Sequence, residues 1–346
     1  MKSRFDLLDG LRGISAIAVM TYHFTQHNGL HWLKGGSIAV DLFFILSGFI
    51  IAHSYFDRIT GGMTFLAFIW RRFVRLYPMY FIGLLLGIFA MLSPLIFGAP
   101  LIVNSNNLVG SIVLGILGFP YLNNTGWPFG SEIIFGSLYP FDGPAWSLFF
   151  EFFVNVIYYI YLSKFGRNPP NPLLITTIIC YGLIVILLKN DNPGWGIQSF
   201  IYGFPRVISE FFLGCALYQF SNRRLVVNKF LPILLIPILL TGFFMEGFQR
   251  ALIWSFIIAP IVIVLLSRIE ISGFCQRICK ILGEISYPLY IIHLPIFLLI
   301  FEFSNLHSYS LKAQLISLVS VTLIITVVFI YLDNWIRGAL LKLDLV

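Results

Sequence analysis

The stretch LISLVSVTLIITVVFIYL (315–332) holds eighteen residues without a single charge. A helix needs about 20 mainly apolar residues to cross the ~30 Å hydrocarbon core of a bilayer, so a run of this length constrains the fold more than any motif. Similar runs recur at about 13–29, 40–56, 76–97, 145–163, 172–189, 200–220, 230–246, 250–267, 283–303 and 312–335. The chain is 58% hydrophobic and only 11% charged, against roughly 25% charged in a soluble domain. Most of its surface must therefore face lipid or other apolar helices. The runs lack the alternation over about ten residues that marks barrel strands, which leaves helices as the spanning element. The expected fold is an all-α, polytopic transmembrane helical bundle, a single domain over residues 1–346.

One further apolar run, VGSIVLGILGFPY (108–120), is too short for an easy crossing. Orientation follows from Lys and Arg. With the N-terminus in the cytoplasm and 108–120 dipping in and returning, only Lys34, Lys189, Arg206, Arg250 and Lys312 of the 22 basic residues fall outside. If 108–120 crossed fully, Lys164, Arg167 and the later inside loops would move outside, against the positive-inside rule. The expectation is about ten crossings plus a short re-entrant or partial helix, with both termini cytoplasmic. Residues 98–144, rich in Gly, Asn, Pro and aromatics, form a long outer segment suited to a lid or substrate loop. No cleavable signal peptide and no soluble domain at either end is read from the sequence. Cys180, Cys215, Cys275 and Cys279 read as buried or reduced thiols. The formal charge of +7 is explained by topology, so nucleic acid is not an expected partner; membrane lipids are.

Several polar residues sit where an apolar one would be cheaper. Arg12 and His23 are eleven positions apart, which places them on one helix face about 16 Å apart along the axis. Arg12 lies near the cytoplasmic edge and His23 in the outer half of the membrane. His23 is either a packed, hydrogen-bonded histidine or a reactive base. His27 and His31 continue the interval, but no carboxylate or thiol completes a metal site, so no metal is expected. Glu151, in GPAWSLFFEFF, lies ~9–10 Å below the outer interface if Pro144 starts that helix. An intramembrane carboxylate is a functional candidate by default, the alternative being a structural pair. Glu210 and Glu302 are weaker candidates, and Arg206 and Glu210, at i and i+4, are spaced to pair with each other.

In FIWRRFVRLYP, Arg71, Arg72 and Arg75 precede a span on its cytoplasmic side. They serve either as positive-inside anchors or as planar forks for a phosphorylated ligand. Ser47-Gly48, in DLFFILSGFII, allow close helix approach or leave room for a thin ligand. His293 lies between Pro288 and Pro295, which break the backbone ladder and expose carbonyls near the imidazole.

Taken in order, LDGLRGISAIAVMTYHF, GSIAVDLFFILSGFIIAHS, FIWRRFVRLYP, PAWSLFFEFFVNVIYY and GEISYPLYIIHLPIF resemble the motifs of the membrane acyltransferase-3 family. These are bacterial integral-membrane O-acyltransferases of surface polysaccharides, O-antigen among them. The resemblance covers nearly the whole chain. It implies an acyl-CoA co-substrate, usually acetyl-CoA, reaching the bundle from the cytoplasm, and no bound cofactor. It implies an acceptor hydroxyl on a cell-surface or lipid-linked glycan, in the bacterial inner (cytoplasmic) membrane. Position by position, His23 resembles the essential histidine and Arg12 its companion. Arg71, Arg72 and Arg75 match the donor-associated arginine motif, Ser47 and Gly48 the SGF element, and Trp146, Ser147 and Glu151 the WSL-x2-E element. His293 falls on the late helix motif. Many relatives carry a fused SGNH hydrolase-like domain; this sequence reads as the stand-alone type.

The residues and the resemblance meet on one mechanism, in which His23, oriented by Glu151, deprotonates an acceptor alcohol that attacks the thioester. An acyl-histidine intermediate is a second route. A competing class is a transporter with His23, Glu151 and Arg206 as a proton relay. A third is an assembly scaffold whose polar residues only lock helices together.

Overall fold

The computed structural model describes residues 4–27, 30, 32–93, 105–123, 137–166, 171–190, 192–221, 230–245, 247, 252–303 and 309–342. Helices dominate: α1 (Asp6–His27), α2 (Ile38–Thr60), α3 (Phe65–Leu92), α4 (Ser105–Ile116), α5 (Trp146–Phe165), α6 (Asn171–Leu188), α7 (Phe200–Ser221), α8 (Leu231–Leu240), α9 (Ala259–Leu266), α10 (Gly273–Phe303) and α11 (Leu311–Leu341). No strand occurs among the described residues, whose extended pairing is a single bridge between Ser137 and Gly196. The chain is an all-α membrane protein, as expected. The described residues of each of the ten anticipated spans lie mainly on helix. Among the described residues six segments are long and apolar enough to cross, on α2, α3, α5, α7, α10 and α11. The helices around α6, α8 and α9 are shorter, and α1 carries Asp6, Asp9 and Arg12. The run at 108–120 forms the short helix α4, followed by a turn.

Local signals account for several boundaries. Asp6 and Asp9 in the first turn of α1 complement its positive end. The Ser310 hydroxyl caps α11 by accepting from the Ala313 amide. Pro144 sits in the tight turn Gly143–Ala145 that opens α5. A π-turn, Trp254–Ile258, precedes Pro260, which has no N–H to give the preceding turn.

The helices sort into two compact units, each made of separated stretches. One comprises residues 1–69, 150–193 and 202–286; the other comprises 70–149, 194–201 and 287–346. In the first unit, α1 meets the start of α10 at backbone distance. A Cβ on Gly13 would lie 2.5 Å from the Leu282 carbonyl oxygen, and one on Gly10 would lie 2.7 Å from Cys279 Sγ. The glycines of the LDGLRG stretch thus serve packing. The crossing of α2 and α7 is tighter and reciprocal: a Cβ on Gly48 would fall 1.9 Å from the Phe211 carbonyl oxygen, and one on Gly214 would fall 1.9 Å from that of Ile45. Cys215 Sγ donates across the same contact to the Gly48 carbonyl at 3.3 Å. Of the two roles open to Gly48, the structure shows close helix approach.

In the second unit, α4 ends with carbonyls that no later helical turn can satisfy. Tyrosine hydroxyls do so instead. Tyr77 donates to Ile116 O and Tyr80 to Gly115 O, both at 2.6 Å, and Tyr139 donates to Gly118 O at 2.8 Å. The short helix is thereby pinned to α3 and to the segment leading into α5. Gly87 makes room for that segment, since its Cβ would lie 1.9 Å from the Phe141 carbonyl oxygen.

Gly48→Ala is expected to lower thermal stability in detergent by roughly 1–3 kcal/mol, the usual cost of overpacking. Gly182→Ala, which meets nothing within 4 Å, serves as the control and should be neutral or stabilising. Equal melting temperatures for the two variants would refute the tight α2–α7 crossing.

Candidate active site

His23 lies near the end of α1, half-buried, with the Tyr22 ring 5.2 Å from its own. Tyr22 is wedged beneath Gly36, whose Cβ would sit 2.3 Å from the ring. The neighbouring hydroxyls are satisfied locally: Thr21 donates to Ile17 O at 2.9 Å and Thr25 to Tyr22 O at 3.1 Å. At the other end of α1, Arg12 is partly exposed, with Nη1 3.9 Å from Asp9 Oδ1. Asp9 itself accepts from Arg4 Nε at 2.6 Å. The His27 side chain, His31 and the Glu302 side chain lie outside the described residues. Among the described residues no three His, Cys, Asp or Glu side chains are grouped to hold a metal.

Two motifs separated by a hundred residues are brought together in the same unit. Ser47 Oγ donates to Glu151 Oε1 at 3.0 Å, so the SGF and WSL-x2-E elements share a hydrogen bond to a carboxylate. One turn further along α5, Asn155 Nδ2 donates to the Glu151 backbone carbonyl at 2.6 Å. Sequence reading expected both residues but not their contact.

Arg206, counted among the outer cations and spaced to pair with Glu210, does stand 3.9 Å from it, but Glu210 is not its main partner. The structure buries Arg206 completely and pairs it with Asp41 on α2, a residue the sequence reading passed over. All five guanidinium N–H groups are accounted for. Arg206 Nε donates to Asp41 Oδ1 at 2.8 Å, and Nη1 donates to Asn192 Oδ1 at 2.8 Å and to Pro193 O at 2.9 Å. Nη2 reaches Ser37 O at 3.4 Å and also contacts Asp41 Oδ1. Ser255 Oγ donates to the other Asp41 oxygen at 3.0 Å. Glu210, equally buried, stands 3.9 Å from Arg206 Nε. This arrangement locks helices and leaves Arg206 no donor for a proton relay.

In the second unit, Trp146 and Ser147 open α5, both buried. Ser147 Oγ is 2.9 Å from Tyr290 Oη, and Tyr290 also donates to the Pro144 carbonyl at 3.2 Å. Tyr290 was missed although it stands inside a quoted motif, because a tyrosine in an apolar span carries no distinctive signal. His293 is fully buried, and its Nδ1 bonds the Leu289 carbonyl at 3.0 Å. Opposite a carbonyl, Nδ1 must carry the hydrogen. That carbonyl lies four residues back on the same helix, whereas Pro288 and Pro295 release those of Glu284 and Ile291. The prolines thus leave α10 continuous and are not what satisfies the imidazole. Of the three arginines on α3, Arg71 and Arg75 are exposed and share a face, while Arg72 is buried.

Asp142, at the entry to α5, was also missed. It stands at the N-cap position of the turn Gly143–Ala145 but makes no cap hydrogen bond with its side chain. Burial pushes its carboxyl well above the usual carboxylate range.

A family model described as an acyltransferase domain, acyltransferase-3, matches residues 5–332. The chain belongs to this family. It is 26% identical over 338 residues to the O-acetyltransferase OatA of Staphylococcus aureus, covering 89% of this chain and 52% of that protein. It is 29% identical over 318 residues to the peptidoglycan O-acetyltransferase OatA of Listeria monocytogenes, covering 84% and 49%. Protein 2 in the picA locus of Rhizobium radiobacter is 36% identical over 163 residues, covering 45% and 81%. The acyltransferase-3 chain spans about half the length of the two O-acetyltransferases it matches. No solved structure matches it.

Arg206→Met is expected to destabilise the protein by about 3–5 kcal/mol, because it strands buried carboxylates. Asp41→Leu combined with Arg206→Met should recover part of that loss, read as melting temperature in detergent. A double variant as unstable as the two single losses added together would show that Asp41 and Arg206 act independently.

Proposed function

We propose that this acyltransferase-3 protein is a membrane O-acetyltransferase. It moves the acyl group of a cytoplasmic acyl-CoA, most simply acetyl-CoA, to a hydroxyl of a cell-surface or lipid-linked glycan. The observation that carries the reading is the family match over residues 5–332, which takes in every candidate residue. The relatives named as O-acetyltransferases supply the reaction, and the one named for peptidoglycan supplies the class of acceptor. About ten crossings with both ends in the cytoplasm, within the inner membrane, complete the reading through the charge distribution.

In this mechanism Arg71 and Arg75 hold the CoA phosphates at the cytoplasmic edge, their planar forks suiting bidentate contact. On α1, Arg12 and His23 share a face about 16 Å apart along an ideal helix. His23 takes the proton of the acceptor hydroxyl as its oxygen attacks the thioester carbonyl. The C–S bond breaks, the proton passes to the departing thiolate, and the products are the ester and free CoA. Glu151 orients the imidazole and favours its charged form, while Ser47 holds Glu151 in place through the 3.0 Å hydrogen bond. Trp146, Ser147 and His293 shape the entry of α5 on the acceptor side.

His23→Ala should reduce acyl transfer by 10²–10⁴-fold or more, the usual cost of removing a general base, with thermal stability near wild type. The measurement is donor-dependent release of free CoA by purified protein in nanodiscs. A variant keeping more than a few per cent of activity would remove His23 from the role of base, and coupled uptake without CoA release would favour a transporter. Arg71→Lys or Arg75→Lys should raise the apparent acyl-CoA KM at least several-fold. A lost charge-assisted contact of roughly 1.5–3 kcal/mol corresponds to about ten- to a hundredfold. Unchanged donor KM in both variants would return the two arginines to the role of membrane anchors.

A further inference from the structure

Among the buried carboxylates that the mechanism does not use, Asp142 is distinguished by having neither a cation nor a hydrogen-bond donor beside it among the described residues. Asp142 is 1% exposed, and neither of its carboxylate oxygens accepts a hydrogen bond from any described residue. The hydroxyls nearest in the fold are committed elsewhere: Tyr80 to Gly115 O, Tyr139 to Gly118 O and Ser111 to Leu108 O. The backbone makes space for the group, since a Cβ on Gly83 would come within 3.0 Å of Asp142 Oδ2. Beside the carboxyl lies a small cavity whose lining includes Tyr80, Phe119, Tyr121 and Tyr139, with room for one water-sized group. Phe119 is 55% exposed, so part of the lining faces outward.

Leaving a buried carboxyl without a partner is costly in either protonation state, because the acid form also carries a donor and an acceptor to satisfy. A buried polar group left unpaired inside an otherwise satisfied shell calls for an external partner. The surroundings restrict which partner. The cavity has room for a small group and not for a bulky ion. An alcohol hydroxyl fits the space, donates to the carboxylate, and brings C–H surface that packs on aromatic rings. Saccharides present this combination, with one hydroxyl inside the cavity and the sugar ring against Phe119.

We propose that the Asp142 cavity is a hydroxyl subsite for the saccharide acceptor. Asp142 accepts a hydrogen bond from an acceptor hydroxyl other than the one acylated, and so acts as a binding residue that fixes the register of the sugar. The assignment rests on the O-acetyltransferase reading.

The test uses the full chain in nanodiscs with acetyl-CoA and the disaccharide of N-acetylglucosamine and N-acetylmuramic acid as probe. Asp142→Leu removes the acceptor of the hydrogen bond, and Asp142→Asn keeps the shape should the leucine variant not fold. The expected result is an acceptor KM raised at least tenfold in Asp142→Leu and about threefold in Asp142→Asn, with donor KM unchanged and kcat within twofold. Saccharide titration without donor, followed by intrinsic tryptophan fluorescence, should weaken in parallel. An unchanged acceptor KM in a folded Asp142→Asn overturns the subsite and leaves a bound water as the carboxyl's partner. So does a fall in kcat at constant KM, or a wild-type protein that does not respond to the disaccharide. Wild type that binds the disaccharide yet releases no CoA from acetyl-CoA overturns the acetyltransferase reading and leaves the subsite standing.

Discussion

A guanidinium placed where water cannot reach must find all its acceptors within the protein, and Arg206 does so with none left over. Its hydrogen-bond partners come from two stretches of sequence: Ser37 before α2 and Asp41 on it, and Asn192 and Pro193 ahead of α7. Burying either charge alone would cost several kcal/mol, so these segments are held to one arrangement. Asp41 and Gly48 are seven residues apart on α2, close to two full turns, and therefore share a face. Arg206, Glu210 and Gly214 share a face of α7 in the same way. The ion pair and the glycine crossing are two parts of one interface.

That interface fixes the rotation of α2 about its axis, and rotation is what directs Ser47. Ser47 neighbours Gly48 and so points about 100° away from the α7 contact. There it meets Glu151 of α5. A serine hydroxyl has freedom to turn, but only an α2 held by Asp41 and Gly48 presents it consistently to that carboxylate. Residues at the crossing thus act on the candidate chemistry without taking part in it.

The helices were legible in the sequence because lipid demands apolar runs of a set length, and among the described residues α2, α3, α5, α7, α10 and α11 supply them. The motifs that carry His23, Ser47 and Glu151 were legible for a related reason, since a polar residue in such a run stands out. Pairing was not legible. Asp41 opens α2, where an acid reads as a complement to the helix dipole, and its buried partner lies 165 residues away. Counting cations by position could not show that Arg206 is neutralised by a buried acid. Asp142 escaped notice because Asp before Gly-Pro is ordinary turn chemistry; its isolation becomes visible only once the tyrosines around it are seen to serve α4.

Partnering also separates the two uses of polar residues in this protein. Asp41, Arg206 and Glu210 have almost no exposed surface and are tied to one another. Such a set holds its helices in one arrangement and is closed to anything from outside. Catalysis asks the opposite of a base, which must gain and lose a proton within each turnover and meet a substrate from outside. His23, Ser47 and Glu151 all retain partial exposure, and Ser47 offers Glu151 a neutral hydroxyl where Asp41 has a fixed guanidinium. The chain therefore uses a buried ion pair to hold α2 against α7 and sets the partly exposed Ser47 and Glu151 in a separate hydrogen bond.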